Sequence, residues 1–205
     1  MIPHRTMTRS FGTAVLATAF VALVGIAVGC GGGSSTTTTS GPKALFTPDT
    51  ASPAAGTIAL LAGSSSGASV DVRVTVTGVS SFFGAAFTIT YDTNALKFNG
   101  MTDTASFLRV GLVDATKVIF LSDSTHQPGQ IVITATRLFP EVPPDVATTS
   151  DLVVLNFTAR KTIAAAVAEG RLDFGDPKQV CDGTVVPSGC NPIAVTWSGG
   201  GVSAQ

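Results

Sequence analysis

The chain has 205 residues, 44% of them hydrophobic and 12% charged, with 12 Lys and Arg against 13 Asp and Glu for a formal net charge of −1. That length allows one domain with a sizeable core beside a terminal extension, and the lack of a basic surplus excludes the usual footprint of a nucleic-acid binder. Of two histidines and three cysteines, His4 and Cys30 stand in the amino-terminal segment, which leaves His126, Cys181 and Cys190, too few ligands for a zinc centre and a single histidine in no triad pattern.

At the amino terminus, Arg5 and Arg9 precede an apolar run, Ala14 to Val28, with no acid before it. This is the charge and length pattern of a secretion signal, too short for a dependable spanning helix. It closes on Ala27-Val28-Gly29-Cys30, which resembles the processing site of bacterial lipoproteins. The resemblance implies removal of residues 1–29 and acylation of Cys30, palmitate included. With Gly31 where an aspartate would favour inner-membrane retention, it implies an outer-membrane address, the exposed face left open. A retained anchor, or an ordinary cleavage with an incidental cysteine, are the alternatives. Loss of Arg5 and Arg9 would leave ten cations against thirteen acids. Residues 30–56 are rich in Gly, Ser, Thr and Pro and read as a flexible tether, because such a segment buries too little apolar surface to offset its ordering entropy.

The domain is expected over residues 57–199, with 200–205 as a tail. Thr57 to Ala62 forms a short apolar strand. In Val70 to Thr77 the valines 70, 72, 74 and 76 alternate with Asp71, Arg73, Thr75 and Thr77, which places apolar groups on one face of a strand. Ala85, Phe87, Ile89 and Tyr91 repeat the pattern, Asp92-Thr93-Asn94 supplies a turn, and Leu96 and Phe98 resume it. Phe107, Leu108, Val110 and Leu112 are expected as a short irregular or helical piece across one end. Strands follow at Lys117 to Leu121, Gln130 to Leu138 and Leu152 to Arg160. The three prolines between Phe139 and Thr149 mark a stiff exposed loop, since proline cannot donate to a ladder. Ile163 to Glu169 could form a single helical turn. Arg171 to Phe174 and Ile193 to Trp197 complete a count of nine antiparallel strands. Between those two, Cys181 and Cys190 flank a Gly- and Pro-containing loop and are expected to form a disulfide, as suits an exported chain.

The order of these segments resembles the cohesin family. The similarity is carried by the alternating valines, by Gly84-Ala85-x-Phe87-x-Ile89-x-Tyr91-Asp92 and Leu96-x-Phe98, and later by Pro128 to Ile133 and Asp151 to Ala159. It spans roughly residues 57–199. The resemblance implies an all-β, nine-stranded antiparallel sandwich with jelly-roll topology, a fold shared with carbohydrate-binding modules. It implies a non-enzymatic protein-binding module whose partner is a dockerin, with calcium carried by that partner and no cofactor of its own. No D-x-[DN]-x-[DN]-G loop is present in this chain, so it resembles the receptor half of the pair.

Carried onto this sequence, the family's docking face would use Ala86, Thr88 and Thr90; Ile119, Leu121 and Asp123; Val132, Thr134 and Thr136; and Arg171 and Asp173. The proline loop after Leu138 is a second candidate surface, since a stiff loop loses little entropy on binding. Catalysis is not expected: His126 lies in a predicted turn, and the aspartates fall at strand ends where aspartate is an ordinary turn residue. A carbohydrate-binding module is the alternative, and polysaccharide would need exposed aromatic platforms. Tyr91 and Trp197, the only Tyr and Trp, fall in phase with core positions. A structural subunit of an envelope assembly is a third reading.

Overall fold

The computed structural model describes residues 41–184 and 190–205. The secretion signal and Cys30 lie outside them. Eleven strands run in chain order: β1 (Ala44–Pro48), β2 (Thr57–Ser66), β3 (Ser69–Thr77), β4 (Phe82–Tyr91), β5 (Leu96–Thr102), β6 (Val118–Asp123), β7 (Gln130–Arg137), β8 (Ser150–Ala159), β9 (Arg171–Asp182), β10 (Thr196–Ser198) and β11 (Gly200–Ala204). They form a six-stranded sheet ordered β1-β11-β9-β4-β7-β6 and a five-stranded sheet ordered β10-β2-β3-β8-β5. The chain crosses repeatedly between the sheets, as in a jelly roll.

The alternation drives this arrangement. Val70, Val72, Val74 and Val76 of β3 are all buried, and they face Ala85, Phe87 and Ile89 of β4 and Ile131, Ile133 and Ala135 of β7 across the interior. Phe157 of β8 joins the sides, meeting Tyr91 at 5.5 Å in an edge-on arrangement and Phe98 at the same separation. Tyr91 and Trp197 are indeed packing groups; Trp197 lies 4.8 Å from Phe174 and 5.9 Å from Phe87.

Several expectations are corrected. Eleven strands replace nine because both ends of the domain are structured. Part of the expected tether is β1, whose Ala44 and Phe46 are buried, and the expected tail is β11, paired to it with Phe46 opposite Val202. The sheets are not wholly antiparallel: β10 runs parallel to β2. The strand expected at Ile193 to Trp197 shrinks to three residues, whereas the one expected at Arg171 to Phe174 extends to Asp182. The helical turn expected at Ile163 to Glu169 is a 3-10 turn at Ala168–Gly170. The irregular piece is a second 3-10 turn, Phe107–Arg109, where the Ser106 hydroxyl accepts from the Leu108 N–H and Leu108 is buried. Cys181 and Cys190 form the expected disulfide, with Cα atoms 5.5 Å apart.

Candidate docking face

The two outer faces of the sandwich differ in chemistry. On the five-stranded sheet most outward side chains are polar and several are bonded to each other, with half-buried Leu61 and Val154 on either side of Arg73. Arg73 Nε donates to Asp151 at 2.8 Å, Asn99 donates to Asn156 at 2.6 Å, and Asn156 donates to Asp71 at 2.8 Å. On the six-stranded sheet, β9, β4, β7 and β6 are consecutive neighbours, and the outward face carries Ile119, Leu121 and Val132 at 36%, 61% and 44% exposure. These strands are the ones the resemblance selects.

The register sets the expected residues in rows across the sheet. Asp123 lies beside Val132, Val132 beside Thr88, and Thr88 beside Gly175. The next row is Leu121, Thr134, Ala86 and Gln179; the one beyond it is Ile119, Thr136, Gly84 and Cys181. Ile119, Leu121, Val132, Thr134, Thr136 and Ala86 thus share one surface. Ala86 is exposed and Thr90 half-buried, with the Thr90 hydroxyl donating to the Asp173 carbonyl at 3.3 Å.

Three residues depart from expectation. Thr88 has the outward phase but is 1% exposed, because β9 inserts Asp176 and Pro177 between the partners of Phe87 and Thr88 and the resulting bulge lies against it. Its Oγ1 has no hydrogen-bond partner among the described residues. Arg171 and Asp173 lie at the far end of β9 in an ion-pair cluster. Arg171 donates to both carboxylate oxygens of Asp49, at 2.7 and 2.8 Å, and also pairs with Asp173. The guanidinium holds the Asp49 carboxyl below its ordinary range, and the two carboxylates hold Arg171 above its own. That pair ties β9 to the residue after β1 and leaves Arg171 little freedom to meet a partner.

The face has a concavity not found from the sequence alone: a groove of about 370 Å³ lined by Phe83, Ala86, Thr134, Thr136, Leu138 and Phe139, with the disulfide at its far wall. Gly84 lies at its floor, and a Cβ there would come within 2.6 Å of the Thr136 hydroxyl. Phe139 is 77% exposed and Val142 74%, so the proline loop does offer apolar side chains. Arg137 holds that loop in place. It follows Ile131, Ile133 and Ala135 in the inward phase of β7, is 4% exposed, and donates to the carbonyls of Leu108 at 3.0 Å, Val142 at 2.5 Å and Val110. Burial pushes its pKa down, but an arginine remains charged there. The signal for it was present in the sequence, as a cation in phase with the core.

His126 is exposed in the β6–β7 turn and pairs with Asp123, whose carboxyl is held low chiefly by the Thr125 backbone N–H and hydroxyl. No group of three or more metal-ligating side chains occurs among the described residues, and no helix among them is long and apolar enough to cross a membrane.

A cohesin-domain family model matches residues 57–184. Among solved structures, the chain is similar to the sixth cohesin of scaffoldin B from Acetivibrio cellulolyticus, solved in complex with a Cel5 dockerin variant. Identity is 16%, coverage 78% of this chain and 95% of that one, and the TM-score 0.47. It is also similar to the cohesin CaCohA2 from Clostridium acetobutylicum, at 18% identity, 79% and 90% coverage and a TM-score of 0.45. A third similar structure is the OlpC cohesin of a type I cohesin–dockerin complex from Clostridium thermocellum, at 13% identity, 66% and 83% coverage and a TM-score of 0.48. No curated protein sequence matches the chain. The match covers more than half of the chain, from the first residue of β2 through the bulged strand β9 that completes the exposed face, and the chain belongs to the cohesin domain family.

Proposed function

We propose that this chain is a non-catalytic docking module that binds a dockerin through the outward face of β9, β4, β7 and β6. One observation carries the reading: of the two outer faces, this one leaves Ile119, Leu121 and Val132 exposed beside an apolar groove, while on the other the aliphatic Leu61 and Val154 are half-buried among hydrogen-bonded polar groups. A flat, mildly apolar patch ringed by threonines suits an amphipathic helical partner, because burial drives association and the threonine hydroxyls bond at the rim. The calcium in such a complex belongs to the dockerin, which folds around it. The module is held at the cell envelope by acylated Cys30, on the outer membrane, with the segment before β1 as its tether.

Calorimetric titration with purified dockerins is the test, run with calcium and again with chelator. Leu121→Asp should weaken binding by about 2 kcal/mol, roughly thirtyfold, as expected for a charge placed at the centre of a docking patch. Chelator should abolish binding. Binding unchanged by Leu121→Asp would rule out this face. Binding of polysaccharide in place of every dockerin would favour the carbohydrate-module reading, which the packed state of Tyr91 and Trp197 does not support.

A further inference from the structure

Strand β6 closes one edge of the six-stranded sheet, and it lacks the devices that protect edges elsewhere in this sandwich. β5, the neighbouring edge of the other sheet, carries Lys97 and a bulge at Asn99 and Gly100; β10 is three residues long; β1 ends in Pro48. β6 reads Val-Ile-Phe-Leu-Ser-Asp, pairs with β7 without a register shift, and has no proline, glycine or central charge. The direction of its backbone follows from one bond. The Leu138 N–H donates to the Lys117 carbonyl at 2.8 Å, so alternation gives Ile119, Leu121 and Asp123 to the β7 ladder. The N–H and C=O groups of Val118, Phe120 and Ser122 therefore point off the sheet, and none bonds elsewhere among the described residues.

The side chains of this edge are complementary to themselves. Lys117, Ile119, Leu121 and Asp123 share the outward phase, with a cation at one end, an acid at the other and two aliphatics between. We infer that β6 pairs antiparallel with β6 of a second copy of this chain, about a two-fold axis at Phe120. In this register Phe120 faces Phe120 of the second copy and Val118 faces Ser122, the residues whose backbone groups are free. Each such pair exchanges two hydrogen bonds, about six in all. Ile119 then lies opposite Leu121, and Lys117 opposite Asp123, at the closely spaced positions where cross-strand side chains interact most strongly. Lys117 has no ion-pair partner within its own chain among the described residues, and the second copy supplies one at each end of the seam. The interface is isologous, so it closes as a dimer and does not propagate. It joins two six-stranded sheets edge to edge, with their apolar outer faces side by side.

This inference is independent of the dockerin reading and is tested without a dockerin, by sedimentation of the full chain in detergent solution. The wild-type chain should show a reversible monomer–dimer equilibrium. Lys117→Glu and Asp123→Lys each set like charges together at both ends of the seam, and each alone should weaken dimerisation on the order of tenfold or more. Mixing the two variants should restore it, since Glu then faces Lys at one end while Lys117 faces Asp123 at the other. Ser122→Pro removes a free-edge N–H that β7 does not use. It should abolish the dimer with the strand spectrum unchanged. A chain monomeric up to about 1 mM, a dimer indifferent to the charge reversals, a mixture that fails to recover, or a dimer that survives Ser122→Pro would each overturn the proposal. Association through the apolar run at residues 14–28 would show as that same indifference.

Discussion

Arg137 and Thr88 lie on neighbouring strands, and each is a polar group in a place that period-two reasoning alone assigns to something else. Arg137 is a cation in a core phase, and it is stable there because the carbonyls of Leu108, Val110 and Val142 replace the water it gives up. Those carbonyls belong to the 3-10 turn and to the proline loop, so one side chain fixes both ends of the loops that bound the sheet face. Arg137→Met keeps most of the volume and removes every donor. It should cost about 3 kcal/mol, read as a lower urea midpoint with an unchanged slope, because three carbonyls lose their charged partner at once. A loss below about 1 kcal/mol would mean that water replaces the guanidinium and that the loops hold themselves. Thr88 is the converse case. Its outward phase is legible in Ala85 to Tyr91, but its burial depends on the bulge at Asp176 and Pro177, 88 residues away in sequence, and no local pattern encodes that.

At the scale of elements, β1 shows what composition hides. The sequence before Thr57 is poor in aliphatics, and the mean of that window reads as tether. Within it Ala44 and Phe46 alternate with Leu45 and Thr47, and this short alternation is enough to add a strand once β11 offers a partner. The core strands β3, β4, β7 and β8 were legible because their alternations are long; β1, β10 and β11 were not, because each holds five residues or fewer and its pairing is decided by the rest of the sheet. β1 is further secured by the bidentate contact of Arg171 with Asp49. The Asp49 carboxyl titrates below its ordinary value of 3.8 in the folded state. A carboxyl so depressed contributes stability that is fully present above about pH 4 and is lost as the pH falls through its lower folded value. Hydrogen exchange at residues 44–49 should therefore accelerate below about pH 4 before β3 or β8 loses protection, and Asp49→Asn should show the faster exchange already at neutral pH. The pair is more than one-third exposed, so solvent screening keeps the effect local to this strand. Simultaneous loss of protection across all strands would show that β1 has no separate opening.

For the whole molecule, the organising feature is the asymmetry between a sheet face whose polar groups bond mostly to each other and one that leaves Ile119, Leu121 and Val132 exposed, and it separates what holds the fold from what meets a partner. The resemblance to the family placed Ile119, Leu121, Val132, Thr134 and Thr136 on one face, and the alternation within each strand gave only which of its side chains point outward. Alternation could not weigh the two outer faces against each other, since the Asn99, Asn156 and Asp71 network spans three strands. The disulfide lies on the face of Ile119 but three strands across from it, about 15 Å at ordinary strand spacing. Stability and docking should therefore respond to different changes. Cys181→Ser with Cys190→Ser releases a cross-link between residues nine apart in sequence, which in the chain-entropy picture costs roughly 2.5–3 kcal/mol. The sandwich should survive, because Phe87, Phe157 and the β3 valines are buried without the help of that loop. Dockerin affinity should fall by less than about threefold, against the roughly thirtyfold loss expected for Leu121→Asp, a substitution at an exposed position that should leave the urea midpoint nearly unchanged. If the double serine variant instead lost affinity as severely as Leu121→Asp while still folded, the groove beside the disulfide would be the centre of the docking surface, with the β6 and β7 rows at its margin.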